Sequence, residues 1–301
     1  MELREIYQSN FLGNEKVPKI SFEVFPPKDG DISRLFEELR ILKKYKPSLV
    51  SLTYGANGGA RVFSLEILRM ILDLEFDVMP HFTCVGATRE LIEHYITQIE
   101  NMGVENILAL RGDRVGVNVA TKQCANSISA DNNEIIIPCS EFSYANELVE
   151  FIQQKSSLAI GVAGYPECHI EAENISQDIE NLKKKIEAGG SVIFTQLFFE
   201  NDKFYNYVEM VREAGIKAPI IPGIMPVRSL KQIDKMVELT RVKVPEKFRS
   251  QLEKFPNDVL KIGAEFAISQ CQDLRDNGVN AFHFFTLNHS NQVCEILDEL
   301  L

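Results

Sequence analysis

Several polar residues in this chain sit where an apolar segment ends, and their types could carry acid–base or ligand-binding chemistry. Glu23 lies in Ser-Phe-Glu-Val-Phe-Pro-Pro. On a strand, Phe22 and Val24 would face the opposite side from Glu23. A carboxyl on the poorly hydrated rim of a core is favoured in its protonated form and can serve as a general acid; the bland alternative is a structural carboxylate held by a buried cation. Arg111-Gly112-Asp113 offers two opposite charges around a residue that lets backbone approach a ligand, or else a surface turn with an ion pair. His81 follows Pro80, and His169 lies in Tyr165-Pro-Glu-Cys-His with Glu167. Lone histidines are more often packed core residues than ligands, and this spacing matches no metal-ligand motif, so no metal is expected. Gln196 is an amide in an otherwise apolar stretch and must find hydrogen-bond partners. Thr53, Thr286 and Asn288 complete the set.

The elements that must position these residues can be read from periodicity. Short apolar runs occur at Ile20–Val24, Leu49–Thr53, Val78–Thr83, Asn106–Leu110, Ala159–Ala163, Val192–Leu197, Pro219–Gly223 and Ala281–Thr286. Helical spacing fills most of the gaps: Asp31–Tyr45, Ser64–Leu74, Thr88–Asn101, Ser143–Gln154, Ile175–Ala188 and Lys203–Ala214. Residues 1–17 read as a short leading helix and a turn. Eight alternating units predict an α/β fold, a (βα)8 TIM barrel forming a single catalytic domain over residues 1–301. In such a barrel the polar residues at the strand ends form a ring on the carboxyl face. Two segments break the rhythm. Arg114–Phe142 is too long for a simple connection and reads as a lid, a binding loop or a mobile insertion. Val227–Ala267 holds at least two helical segments, an added helix region between strands 7 and 8.

Composition excludes several classes. The 45% apolar and 25% charged residues are ordinary for a globular protein. A formal charge of −11 argues against a nucleic-acid partner, which needs a basic face. Lys183–Lys185 is the only basic triplet and reads first as a solvated helix face. Without a long apolar run no membrane span is expected, and the charged N-terminus lacks a signal-peptide core. The six cysteines, at 84, 124, 139, 168, 271 and 294, have no CxxC pair and fit free thiols in a reducing cytoplasm. Neither a G-x-G-x-x-G nor a P-loop is present, so any dinucleotide would be held by barrel loops.

Ser-Phe-Glu-Val-Phe-Pro-Pro-Lys, Ser-Leu-Thr-Tyr-Gly-Ala-Asn, Pro-His-Phe-Thr-Cys, Leu-Arg-Gly-Asp and Gly-Tyr-Pro-Glu-Cys-His resemble the bacterial type of methylenetetrahydrofolate reductase. So do Thr-Gln-Leu-Phe-Phe, Ile-Pro-Gly-Ile-Met-Pro and Phe-His-Phe-Phe-Thr-Leu-Asn. The matches run in order from about residue 18 to 290. The resemblance implies non-covalent FAD at the carboxyl face of the barrel. It implies reduction of 5,10-methylenetetrahydrofolate to 5-methyltetrahydrofolate with NAD(P)H as donor, within one-carbon metabolism and methionine biosynthesis. Glu23 matches the general acid, expected to protonate N5 so that the methylene bridge opens. Asp113 matches a carboxylate near flavin and pterin, and Gln196 a residue contacting the pterin. Thr53, His81, Arg111, Gly112, Asp113, Tyr144, Tyr165, His169, Asp178, Asn181 and Lys185 align with flavin-binding positions, which moves Lys185 from solvated surface to a phosphate contact.

The chain departs from the family's pattern with His289 where an arginine is common and Leu230 where a phenylalanine stands, both near the folate. The segment after Asp113 is longer and lacks the family's common Pro-Pro. The rival readings are a same-fold reductase subunit fed by a partner electron-transfer protein, a non-catalytic folate- or flavin-binding homologue, and a metal-dependent barrel lyase or hydrolase. A homo-oligomer is compatible with any of them.

Overall fold

The computed structural model describes residues 1–8, 17–27, 30–53, 58–112 and 140–301. Eight parallel strands close into a barrel in chain order: β1 (Lys19–Val24), β2 (Leu49–Leu52), β3 (Val78–Thr83), β4 (Asn106–Leu110), β5 (Ala159–Gly164), β6 (Gly190–Leu197), β7 (Ile220–Ile224) and β8 (Ala281–Phe285). The barrel closes through β1 and β8, with Ser21 opposite His283 and Glu23 opposite Phe285. The strands stand within a residue or two of the expected runs. The start of β7 shifts because Pro219 has no N–H to give; it contributes only its carbonyl, to Ile193 N at 2.8 Å.

Around the strands lie α2 (Ile32–Lys43), α3 (Gly58–Asp73), α4 (Arg89–Asn101), α5 (Ala145–Lys155), α6 (Ile175–Glu187), α7 (Asn201–Glu213) and α11 (Asn291–Leu300). The helix α3 starts earlier than its apolar spacing indicated, because Gly58 and Gly59 have low helix propensity and hide the first turn. Between β7 and β8 the added region holds three helices: α8 (Leu230–Thr240), α9 (Glu246–Lys254) and α10 (Val259–Asp276). They bury their own apolar cluster, including Phe248, Leu252, Ile233 and Val242.

Alternation along the strands divides the apolar residues in two. Phe22, Phe282 and Phe284 point outward and pack with Cys271, Leu274, Val293 and Ile296 of α10 and α11. The inward set, Leu49, Met79, Leu108, Val192, Phe194 and Ile221, meets Leu3, Ile6 and Tyr7 of α1 (Leu3–Gln8). The leading helix thus packs against the barrel's interior core. Asn106 at the start of β4 fixes it there, accepting from Leu3 N at 2.8 Å and donating to the Met1 carbonyl at 3.0 Å. Among the described residues no helix is long and apolar enough to cross a membrane. Cys84, Cys168, Cys271 and Cys294 are free thiols. Cys124, Cys139 and most of the Arg114–Phe142 segment lie outside the described residues.

Candidate active site at the carboxyl end of the barrel

With Phe22 turned to the helices, Glu23 projects into the barrel, where its side chain is 12% exposed. Two histidines flank the same carboxylate oxygen: His81 Nε2 of β3 at 3.8 Å and His283 Nε2 of β8 at 3.7 Å from Oε2. His81 is buried, and neither ring nitrogen has a hydrogen-bond partner among the described residues. Burial pulls its pKa down to about 4, against the opposing charge of Glu23 and with help from His283, so the ring is neutral near pH 7. His283 is also buried, with Nδ1 2.8 Å from Ser21 Oγ.

The backbone under Glu23 is gripped from both sides. From β8, Thr286 Oγ1 donates to the Glu23 carbonyl at 2.7 Å and accepts from Asn288 N at 3.1 Å. Asn288 closes a two-point contact with Phe25, accepting from its N at 2.9 Å and donating to its carbonyl at 2.8 Å. Leu287 and Asn288 take left-handed φ values of 51° and 57° to turn the chain there. From β2, Thr53 sends both its N–H and its hydroxyl to the Val24 carbonyl at 3.0 Å. Thr53, Thr286 and Asn288, read in the sequence as rim residues, therefore hold the strand of Glu23 in place.

A second group of residues gathers where β4 and β5 end. Gly112 has φ +84°, and a Cβ there would stand 3.0 Å from Thr83 Cβ, so only glycine fits this turn. Arg111 forks onto Glu171, with Nη2 2.7 Å from Oε1 and Nη1 paired to Oε2. Tyr165 and His169 meet edge to face at 4.6 Å. His169 N donates to Asp178 Oδ2 at 3.0 Å, and His169 Nδ1 accepts from Glu171 N at 3.1 Å. Asp178 and Lys185 lie two turns apart on one face of α6 and are both buried. Lys185 Nζ donates to the Ala163 carbonyl at 2.5 Å and lies 5.7 Å from the Tyr165 ring centre. Burial pulls Lys185 down to about 8, with Asp178 opposing. Burial likewise raises Asp178, opposed by Lys185 and by the His169 N–H. Lys185 is therefore no solvated lysine: its stem is buried and its ammonium reaches the end of β5.

The remaining candidates are spread more widely. Gln196 ends β6 with Oε1 turned back onto Leu197 N at 2.9 Å. Tyr144 and Asn181 are exposed, at the start of α5 and on α6. Leu230 opens α8, partly buried in that helix group's apolar cluster. His289 Nδ1 is 3.4 Å from Arg34 Nη2. Its pKa is lowered by burial and then by Arg228 and Arg34, with Glu38 opposing. Glu167 accepts from Lys243 N at 3.1 Å. Among the described residues no group of three or more His, Cys, Asp or Glu is placed to hold a metal. Asp113 lies outside the described residues. Ser21 and His283 were not singled out in the sequence, although the alternation that points Glu23 inward also points Ser21 inward, and their β1–β8 pairing brings His283 beside it.

A family model described as methylenetetrahydrofolate reductase matches residues 9–301. The chain is 34% identical over 93% of its length to methylenetetrahydrofolate reductase (NADH) 1 of Arabidopsis thaliana, and covers 48% of that protein. It is 32% identical to the 5,10-methylenetetrahydrofolate reductase of Salmonella typhimurium, with 92% of this chain and 90% of that one aligned. It thus spans about half of the plant relative and nearly all of the bacterial one. A Clostridium thermocellum protein that binds two copies of 5-methyl-5,6,7,8-tetrahydrofolic acid superposes with a TM-score of 0.62 over 97% of this chain and 96% of its own. At 12% identity that likeness shows the fold alone.

Proposed function

The chain belongs to the methylenetetrahydrofolate reductase family, and from that premise we propose that it reduces 5,10-methylenetetrahydrofolate to 5-methyltetrahydrofolate, with FAD as cofactor, NAD(P)H as donor and Glu23 as general acid. The observation that carries this reading is Glu23 itself, a carboxyl nearly buried inside the barrel between two histidines and gripped through its backbone by β2 and the loop after β8.

The residues present fit a flavin dinucleotide. His81 has two buried ring nitrogens for which the described residues supply no partner, and buried polar atoms of this kind ordinarily have one. Arg111 is paired to a half-exposed carboxylate that it can exchange for a phosphate. Lys185, Asp178, Tyr165, His169 and Gly112 complete a cradle of cation, aromatic edge and open backbone. When bound, the flavin supplies hydride transfer between nicotinamide and folate.

The chain's own task is then proton placement. In the substrate the methylene carbon joins N5 and N10. The C–N10 bond breaks with its electron pair going to N10, and the proton from Glu23 Oε2 goes there. This corrects the expectation of protonation at N5, because N5 must keep the methylene as the electrophilic iminium. The iminium carbon then receives the hydride and becomes the methyl group. Asp113 is assigned the complementary role of balancing the cationic folate, with Gln196 on the pterin and Leu230 and His289 toward the rest of the substrate.

Anaerobic half-reactions test this assignment. Flavin reduction by NADH should survive Glu23→Gln, while reoxidation by methylenetetrahydrofolate should slow by about 10²- to 10⁴-fold, the range of general acid catalysis. Normal folate reduction by that variant would sink the role of Glu23. Bound flavin that ignores nicotinamide but is reoxidised by folate after chemical reduction would instead favour a partner protein as donor.

A further inference from the structure

Three connections of the barrel bring basic side chains together on the rim beside Glu23. Arg34 stands on α2 after β1, Arg228 in the loop after β7, and His289 in the loop after β8. His289 follows Asn288, which grips Phe25 two positions beyond Glu23. Arg34 Nη2 lies 3.4 Å from His289 Nδ1. A guanidinium can only donate, so Nδ1 is the acceptor in that contact. Burial, Arg228 and Arg34 keep the imidazole neutral near pH 7. Its hydrogen is then on Nε2, which makes His289 a third donor.

Arg228 is held in place rather than left to solvent. Its backbone N donates to Gln232 Oε1 at 2.7 Å, and Nη1 lies 3.4 Å from Gln292 Oε1. Gln292 is 3% exposed, and its Nε2 donates to the Val227 and Leu260 carbonyls at 2.8 and 2.7 Å. With both amide hydrogens spent there, Oε1 is turned to Arg228 and fixes one edge of the guanidinium. Burial lowers the pKa of Arg228, Glu38 opposes, and the nearby Arg34 adds to the fall. Like charges drawn together at partial burial mark a place where an anion offsets them. Glu38, the one carboxylate felt by both Arg228 and His289, is committed elsewhere. Its Oε2 accepts from Ser290 N at 2.7 Å and from Ser290 Oγ at 2.5 Å. Neither arginine has an ion-pair partner among the described residues.

The anion that fits here is not the flavin's. The strands run round the barrel in chain order, so the β7, β8 and β1 connections stand across from β4 and β5. Arg111, His169 and Lys185 gather on that far side. We propose that Arg34, Arg228 and His289 form an anion subsite on the rim, taking the carboxylate or phosphate that trails from a reactant whose reacting end lies at Glu23. The inference rests on the reading of Glu23 and the flavin cradle as the reaction site. Folate supplies carboxylates on its glutamate tail, at the far end from the pterin, and the nicotinamide donor supplies phosphates. Both suit guanidinium groups, which bind such oxygens through parallel N–H donors.

Arg228→Gln and Arg34→Gln test this in the flavin-loaded protein, with the two half-reactions run separately. Flavin content should match the wild type. Apparent affinity for the reactant whose anion is held should fall by about 10-fold or more in each variant, as for the loss of a charge-assisted hydrogen bond. The loss should fall on affinity and not on the rate at saturation. Arg228→Lys, which keeps the charge but not the planar fork, should recover part of it. A loss on methylenetetrahydrofolate that grows with the number of γ-linked glutamates identifies the tail carboxylates. A loss on NADPH or NADH identifies a donor phosphate. Unchanged affinity for both reactants in both variants overturns the subsite, even if stability falls. Inorganic pyrophosphate added to the same holoenzyme, followed by the ring-nitrogen NMR signals of His289, gives a readout independent of turnover. A saturable shift that Arg228→Gln abolishes supports the subsite; no shift, or one that this variant leaves in place, overturns it. The wild-type half-reactions separate the two claims. Flavin that neither donor reduces and folate never reoxidises sinks the reaction as proposed, while the pyrophosphate titration still decides the subsite.

Discussion

His81 gives the barrel a stability that depends on pH. Its folded-state pKa of about 4 lies below the ordinary 6.5, with burial as the main cause. Between those values the unfolded chain binds the proton and the folded chain does not. Stability contributed by the neutral ring is therefore full above 6.5 and is lost as pH falls from 6.5 toward 4. The loss is on the order of 3 kcal/mol, from the size of the shift. Urea unfolding at pH 7 and pH 4.5 should show this as a steeper acid loss in wild type than in His81→Asn, whose side chain cannot titrate. Equal losses would mean that His81 is hydrated or paired in solution. At this scale the sequence made Glu23 and His81 legible, because a charged or basic residue inside an apolar strand has few explanations. His283 sat in Ala-Phe-His-Phe-Phe, where its neighbours masked it, and its meaning came from pairing across the barrel seam. Lys185 was misread from local charge, since a lysine stem can be buried while its ammonium is carried to a distant carbonyl.

The loop after β8 works as an element rather than as separate residues. Thr286 and Asn288 together satisfy the backbone of Glu23 and Phe25 at the point where Pro26 ends the ladder. Thr286→Val keeps the shape of the side chain but removes the hydroxyl that serves both the Glu23 carbonyl and the Asn288 N–H. The Glu23 carbonyl keeps the Thr286 N–H at 3.3 Å, but the Asn288 N–H loses its acceptor, which costs about 1–3 kcal/mol. The denaturation midpoint should fall accordingly. The folate half-reaction should slow while nicotinamide oxidation holds, because the acid's backbone has lost an anchor while Arg111, His169, Asp178 and Lys185 have not. An unchanged midpoint with unchanged folate kinetics would show that β2, through Thr53, holds Glu23 unaided. Element order was readable because strand and helix periods differ sharply. The partnership between the chain's last loop and its first strand was not, since nothing local to either segment records that the barrel closes there.

For the whole molecule, the leading helix settles how one end of the barrel core is filled. The inward layer of Leu49, Met79, Leu108, Val192, Phe194 and Ile221 would be open on one side without Leu3, Ile6 and Tyr7. The sequence showed a short helix before β1 but not its destination, because a six-residue segment carries too little pattern to say what it packs against. Leu3 is fully buried and lies in this plug, with Asn106 holding its backbone. Leu3→Ala removes that packing and leaves a cavity, at a cost of about 2–5 kcal/mol for a core site that cannot collapse. Two measurements on one preparation then separate the plug from the chemistry. The unfolding free energy from urea titration should drop by that amount, while both half-reactions at 25 °C and neutral pH keep wild-type rates. The plug works by filling volume at one end of the core, whereas the role proposed for Glu23 is proton transfer. A folate half-reaction that slowed with Leu3→Ala would show instead that the packing of α1 sets the position of Ser21, and through it the histidine behind the acid.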